Sequence, residues 1–136
     1  MITATNRFIS DSTLEFLPTS AYTGGLDFTN FWDEKSYYFS AKAVISKVNG
    51  TKEAITELQE SPQRYYQRPD AAHLTFDTTL TSITGSGGTI EGGKIGGGHW
   101  SYGGWTTWRS PGLELNDQGY LRGADFANEV IWAGYR

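Results

Sequence analysis

The chain contains no cysteine, and its basic residues are few. Its 136 residues include 11 Lys or Arg against 15 Asp or Glu, which gives a net charge of -4. Without cysteine the chain forms neither disulfides nor thiolate metal sites, although this does not identify a compartment. No cluster of Lys and Arg provides the basic patch of a nucleic-acid-binding protein, so we expect no nucleic-acid partner. The length fits one domain, residues 1–136, or a piece of a larger one.

Long apolar runs and the marks of a signal peptide are also missing. The N-terminal residues MITATNRFISD have neither the basic nor the apolar region of a signal peptide. No apolar run approaches the roughly 20 residues of a membrane-spanning helix. Strands of a membrane barrel hide their apolar residues by alternation, so these two absences leave a membrane location open.

Alternation of apolar and polar residues is the dominant pattern of the chain. It is clearest at Tyr37, Phe39, Ala41, Ala43 and Ile45, which share one side of a predicted strand of about 11 or 12 residues. Similar patterns predict strands near residues 2–8, 24–32, 73–81, 89–95, 99–110 and 125–136, separated by turns at 33–36, 85–88 and 96–98. We therefore predict an all-β fold: a curved antiparallel meander of about six or seven strands.

One segment, near residues 51–61, has helical character. Thr51 is a suitable N-cap, good helix formers follow, and Pro62 ends the segment. Ile55 and Leu58 lie three residues apart on one face. This stripe is too narrow to stabilise an isolated helix, so we expect a short helix within a long connection, packed against the sheet.

Aromatic residues cluster near the predicted strand ends and leave two interpretations open. The strands of a membrane barrel are about 9 to 11 residues long and carry aromatic girdles at both interfaces. A soluble β-sandwich that binds carbohydrate also displays exposed tryptophans. Four residues are the best candidates, either as membrane anchors or as platforms that stack on sugars: Trp100, Tyr102, Trp105 and Trp108.

No catalytic or metal-binding constellation is recognisable. His73 and His99 are the only histidines, and they are not spaced as a metal pair. Glu114, Asn116 and Asp117 offer oxygen ligands, but an ordinary polar loop is the favoured interpretation. The sequence therefore predicts no catalytic residues, no metal and no cofactor.

Several segments resemble a known family of large Gram-negative outer-membrane proteins. They are SAYTGGLD at 20–27, GTKEAI at 50–55, YQRPD at 66–70 and WRSPGLELND at 108–117, in that order. Members of the family combine an N-terminal module similar to family-nine carbohydrate-binding domains with a C-terminal β-barrel domain of unknown function. The resemblance implies that the chain is an internal portion of this barrel domain. The sugar-binding module is absent, so the resemblance assigns no sugar-binding residue here.

The resemblance implies a structural or transport role in a β-barrel of the Gram-negative outer membrane, associated with carbohydrate uptake or processing. The implied partners are membrane lipid, the remaining strands of the barrel and glycans. Some relatives are labelled hydrolases by analogy, but no residue pattern here predicts an enzyme. The alternative is a soluble β-sandwich that binds carbohydrate through exposed Trp and Tyr residues.

Overall fold

The fold is a single antiparallel sheet of six strands with one short helix. A computed structural model describes residues 1–116 and 120–136. The strands lie side by side in chain order, which makes the sheet a simple meander. The elements are β1 (Ile2–Asn6), β2 (Ser20–Trp32), β3 (Tyr37–Asn49), α1 (Lys52–Glu60), β4 (Ser82–Lys94), β5 (Trp100–Arg109) and β6 (Phe126–Tyr135), with a short 3₁₀ turn at Ser12–Leu14. The predicted all-β antiparallel class is confirmed.

Short turns and long connections lie at opposite ends of the sheet. Residues 33–36 and 95–99 form the short turns. Asp33, Glu34 and Lys35 adopt positive φ, and Ser36 N–H donates to the Asp33 carbonyl at 2.8 Å. The second turn uses Gly97 and Gly98, whose φ values of 69° and 118° favour glycine. The other end of the sheet carries the described parts of the long connections, residues 7–19, 50–81, 110–116 and 120–125.

The predicted turn at residues 85–88 is wrong, because these residues lie within β4. Val44 of β3 pairs with Gly87, and the ladder continues without a break on both sides of this pair. The glycines do not reverse the chain here; they allow neighbouring side chains and backbone to pack closely against β4. A Cβ on Gly88 would lie 2.4 Å from Cη2 of Trp108, whose ring lies over this position from the neighbouring strand.

The strand predicted at residues 73–81 is also wrong, because this segment is irregular. The side chain of Gln59 bonds the backbone that a strand would use: Nε2 donates to the Asp77 carbonyl at 2.8 Å, and Oε1 accepts from Asp77 N–H at 3.0 Å. Asp77 also accepts hydrogen bonds from the amide and the hydroxyl of Thr79, at 2.8 and 2.6 Å. These hydrogen bonds satisfy backbone polar groups that would pair with a neighbouring strand if residues 73–81 formed the strand that the sequence alternation predicts.

The helix forms as predicted and packs on one end of the sheet. The Thr51 hydroxyl accepts from Ala54 N–H at 3.1 Å and caps α1. Ile55 is fully buried against Ala21, Val48 and Ile83, which form the main hydrophobic core with it. This core lies at the end of the sheet that carries the long connections.

Candidate functional site

The two faces of the sheet differ in chemistry. The register aligns Phe28, Ala41 and Ile90 across three strands on one face, which we call the apolar face. The opposite face, which we call the polar face, aligns Asp27, Lys42 and Thr89. Apart from Phe31, Trp105 and Phe126, the exposed large hydrophobic side chains on the described strands belong to the apolar face: Ile2, Tyr22, Leu26, Phe28, Trp32, Phe39, Ile45, Ile90, Trp100, Tyr102, Ile131 and Tyr135.

The apolar face is open along its whole width in the part of the chain that the structure describes. Leu26 is 82% exposed and Ile131 is 91% exposed. Phe28 and Phe39 contact one another at a ring distance of 6.4 Å but remain exposed. An uncovered apolar surface of this extent is unusual for a soluble monomer, and surfaces of this kind are typical of interfaces with protein or lipid.

Pairs of aromatic side chains lie along the border of the apolar face, at the end of the sheet that carries the short turns. Trp32 stacks on Tyr37 with ring centroids 5.8 Å apart. Trp100 meets Tyr135 edge to face at 5.1 Å. Lys94 extends over the Tyr37 ring, with Nζ 5.8 Å from its centroid. Aromatic rings with an adjacent cation are typical of a membrane–water interface.

The four aromatic residues singled out from the sequence are divided between the two faces. Trp100, Tyr102 and Trp108 lie on the apolar face, because they align with Tyr135, Lys94 and Gly88 respectively. Trp105 lies on the polar face, where it aligns with Glu91 and Val130. They therefore do not form one stacking platform.

A second feature is a folded cap on the polar face, formed by α1 and by residues 61–81 and 110–116. Leu113 lies directly on Gly85, where a Cβ would fall 2.0 Å from the Leu113 nitrogen. Glu114 N–H donates to the Ser46 hydroxyl at 2.9 Å. Residues 110–116 therefore turn back over the sheet and contact its backbone.

A buried ion pair joins the two parts of the cap. Arg64 is 1% exposed; its Nη2 donates to Glu114 Oε2 at 2.5 Å and to the Leu113 carbonyl at 2.6 Å. Glu114 also accepts from Asn116 N–H at 2.6 Å. Both carboxylate oxygens of Glu114 thus accept hydrogen bonds from other residues of the chain. Asp117, which the sequence offered as a further oxygen ligand, lies outside the described residues. The sequence held no signal for this pair, because its members are 50 positions apart.

A second charged cluster lies at the edge of the cap. Asp125 bonds Arg68, and His73 Nε2 lies 2.8 Å from Asp125 Oδ1. Nearby, burial raises the pKa of the Tyr66 hydroxyl, and the charge of Arg64 partly opposes this rise. His99 is far along the chain from His73, and its Nδ1 contacts the Arg136 carbonyl at 2.7 Å. Within residues 1–116 and 120–136, no group of three His, Asp or Glu side chains is placed to hold a metal.

Comparisons with known protein families, curated proteins and solved structures give no match. The resemblance to an outer-membrane barrel domain therefore stays a prediction. None of the helices in the described residues is long and apolar enough to cross a membrane.

Proposed function

We propose that the chain forms part of the wall of a β-barrel in the outer membrane of a Gram-negative bacterium, in a structural or transport role. The apolar face meets lipid, and the polar face lines the lumen. The observation that carries this proposal is the uncovered apolar face with its aromatic border. In such barrels the side chains alternate between lipid and lumen along every strand.

Strand length and aromatic spacing support the proposal. β2, β3 and β4 each have 13 residues, and β5 and β6 each have 10. Tyr22 and Trp32 lie on the same face of β2. At about 3.3 Å per residue and a tilt of about 45°, the ten steps between them span about 23 Å across the membrane. The apolar band of an outer-membrane barrel is about 25 Å tall.

The unequal connections support the same proposal and suggest an orientation. Outer-membrane barrels have short turns on the periplasmic side and longer loops outside. On this basis residues 33–36 and 95–99 face the periplasm, and the cap lies at the outer mouth. The cap rests on the polar face, so it narrows the lumen there.

A soluble carbohydrate-binding β-sandwich, the alternative from the sequence, requires a second sheet over the apolar face. The described residues form one sheet, and their cap covers the polar face instead. Trp105 and its neighbours on the polar face still offer glycans a contact surface inside the lumen, which is compatible with the proposed barrel.

Single-cysteine labelling tests the proposal cleanly because the chain has no cysteine. The variants Leu26→Cys and Asp27→Cys place a polarity-sensitive maleimide dye at adjacent positions on opposite faces. In lipid vesicles, we expect blue-shifted emission and quenching by brominated acyl chains at position 26 only. Water-like emission at both positions, or a protein that stays soluble without detergent, would contradict the proposal.

Orientation is tested with a membrane-impermeant maleimide on intact cells. Gln67→Cys in the cap should react, whereas Lys35→Cys in the short turn should react only after the cells are opened. Both residues are exposed, so access to solvent on the protein itself is matched. The reverse pattern would contradict the orientation while leaving the barrel proposal intact.

A further inference from the structure

A small cavity lies between the cap and the polar face. Its volume is about 220 Å³. Thr89 and Thr107, paired across β4 and β5, form part of its floor, and Leu113 and Leu115 of the cap form its roof. At one end Leu113 closes down on Gly87, where a Cβ would lie 2.8 Å from Leu113 Cδ2.

Two cations line this cavity. They are Lys42 on β3 and Arg109 on β5, which reach it from either side of β4. The described residues that line the cavity include no carboxylate, although the chain as a whole is acidic. A cavity whose described lining residues carry only positive charge is suited to a negatively charged ligand.

The charge of Arg109 is not neutralised by its known contacts. Its Nη1 donates to the Gly123 carbonyl at 3.3 Å, and its Cζ lies 5.2 Å from the centre of the Phe126 ring. Both partners are neutral. These contacts hold the guanidinium group in place and use one of its donor nitrogens, which leaves further donors for an oxyanion, since the group has five N–H bonds.

Among the described residues, Lys42 has one acidic partner in an ion pair, and it lies outside the cavity lining. Asp27 Oδ2 is 4.0 Å from Lys42 Nζ, and the two side chains are 65% and 57% exposed. An ion pair of this length and exposure is weak. An anion in the cavity therefore competes with Asp27 for Lys42 at little cost.

The remaining lining residues define the rest of the ligand. The hydroxyls of Thr89 and Thr107 are 2.9 Å apart and offer hydrogen bonds at the floor. Leu113, Leu115 and Val44 provide an apolar side. We propose that this cavity binds a small amphipathic oxyanion, with its carboxylate, sulfate or phosphate group between Lys42 and Arg109 and a short aliphatic body beneath the two leucines. The proposal does not depend on lipid at the apolar face.

Ligand-observed ¹⁹F NMR on the folded full chain tests this site with 4,4,4-trifluorobutyrate and its neutral amide as probes. We expect the carboxylate to bind at least tenfold more tightly than the amide. Lys42→Gln should weaken carboxylate binding about three- to fivefold, because Lys42 is largely exposed. Arg109→Gln should weaken it about tenfold or more, since its hydrogen bonds are charge-assisted and partly buried. Asp27→Asn should strengthen binding about twofold by releasing Lys42.

Lys47→Gln is the matched control, because it removes one positive charge from β3 on the opposite face. It should leave binding unchanged. Competition with butyrate and with inorganic phosphate tests the aliphatic part of the proposal. We expect displacement by butyrate and little displacement by phosphate; equal displacement by both would overturn the requirement for an aliphatic body. Equal binding of the carboxylate and the amide, or equal loss in Lys42→Gln and Lys47→Gln, would overturn the proposal.

Discussion

The backbone of Leu113 rests directly on Gly85, so that a Cβ on Gly85 would lie 2.0 Å from the Leu113 nitrogen. This contact joins a connection between β5 and β6 to the middle strands of the sheet. It explains why a glycine lies inside β4 at this position. The cap is therefore an integral part of the fold and is not a peripheral loop.

Replacing Gly85 should detach the cap. In Gly85→Ala the new methyl group has no space, because the atoms in its way are backbone atoms; we expect a loss of about 3 kcal/mol or more in the free energy of unfolding. Urea titration measures this loss, and limited proteolysis within residues 110–116 reports the detached cap. Gly24→Ala is the matched control, since its nearest heavy atoms would be 4.0 Å away. Equal stability of the two variants would contradict this account of the cap.

Removing one member of the buried Arg64–Glu114 ion pair should strongly lower the stability of the folded chain. Arg64→Met leaves the Glu114 carboxylate buried without its partner, which costs about 3–5 kcal/mol. The double variant Arg64→Met/Glu114→Leu removes both charges and should recover much of this loss. Glu57→Gln on the exposed side of α1 is the control and should change stability by less than about 0.5 kcal/mol. If the double variant were as unstable as the single one, the packing of Arg64 would matter more than its charge.

The strands and the helix could be predicted from the sequence where local signals agree. The alternation around Phe39 and Ala41 predicts the faces of β3, and Thr51 with Pro62 brackets α1. These features depend on neighbours in the chain, so their physical causes are visible in a short window.

The cap and the cavity could not be predicted, because their causes lie far apart in the chain. Gly85 appears as a turn residue until Leu113 is placed on it. The alternation at residues 73–81 predicts a strand until Gln59 bonds the Asp77 backbone. Arg109 becomes a candidate for ligand binding only when the folded sheet places it beside the same cavity as Lys42.

Glu129 provides a test of which face meets lipid. It lies on the apolar face opposite Thr106, in the row that also contains Phe28 and Ile90. A carboxylate at this depth destabilises a lipid-facing strand, so Glu129→Leu should raise stability in lipid vesicles by about 1–2 kcal/mol. Asn128→Leu, the adjacent substitution on the polar face, should give no such gain. A gain for position 128 alone would reverse the assignment of the faces.

The turn at Asp77 predicts a loss of stability in acid. The hydroxyl and then the amide of Thr79 lower the pKa of the Asp77 carboxyl below 3.8. Because the folded state has the lower pKa, this contribution is fully present well above pH 3.8 and is lost as the pH falls through the folded pKa. Urea midpoints measured between pH 6 and pH 2.5 should therefore fall less steeply in Asp77→Asn than in the native chain. Thr79→Val removes the larger of the two causes and should give an intermediate slope, whereas a slope equal to the native one in both variants would contradict a role for this carboxylate in acid stability.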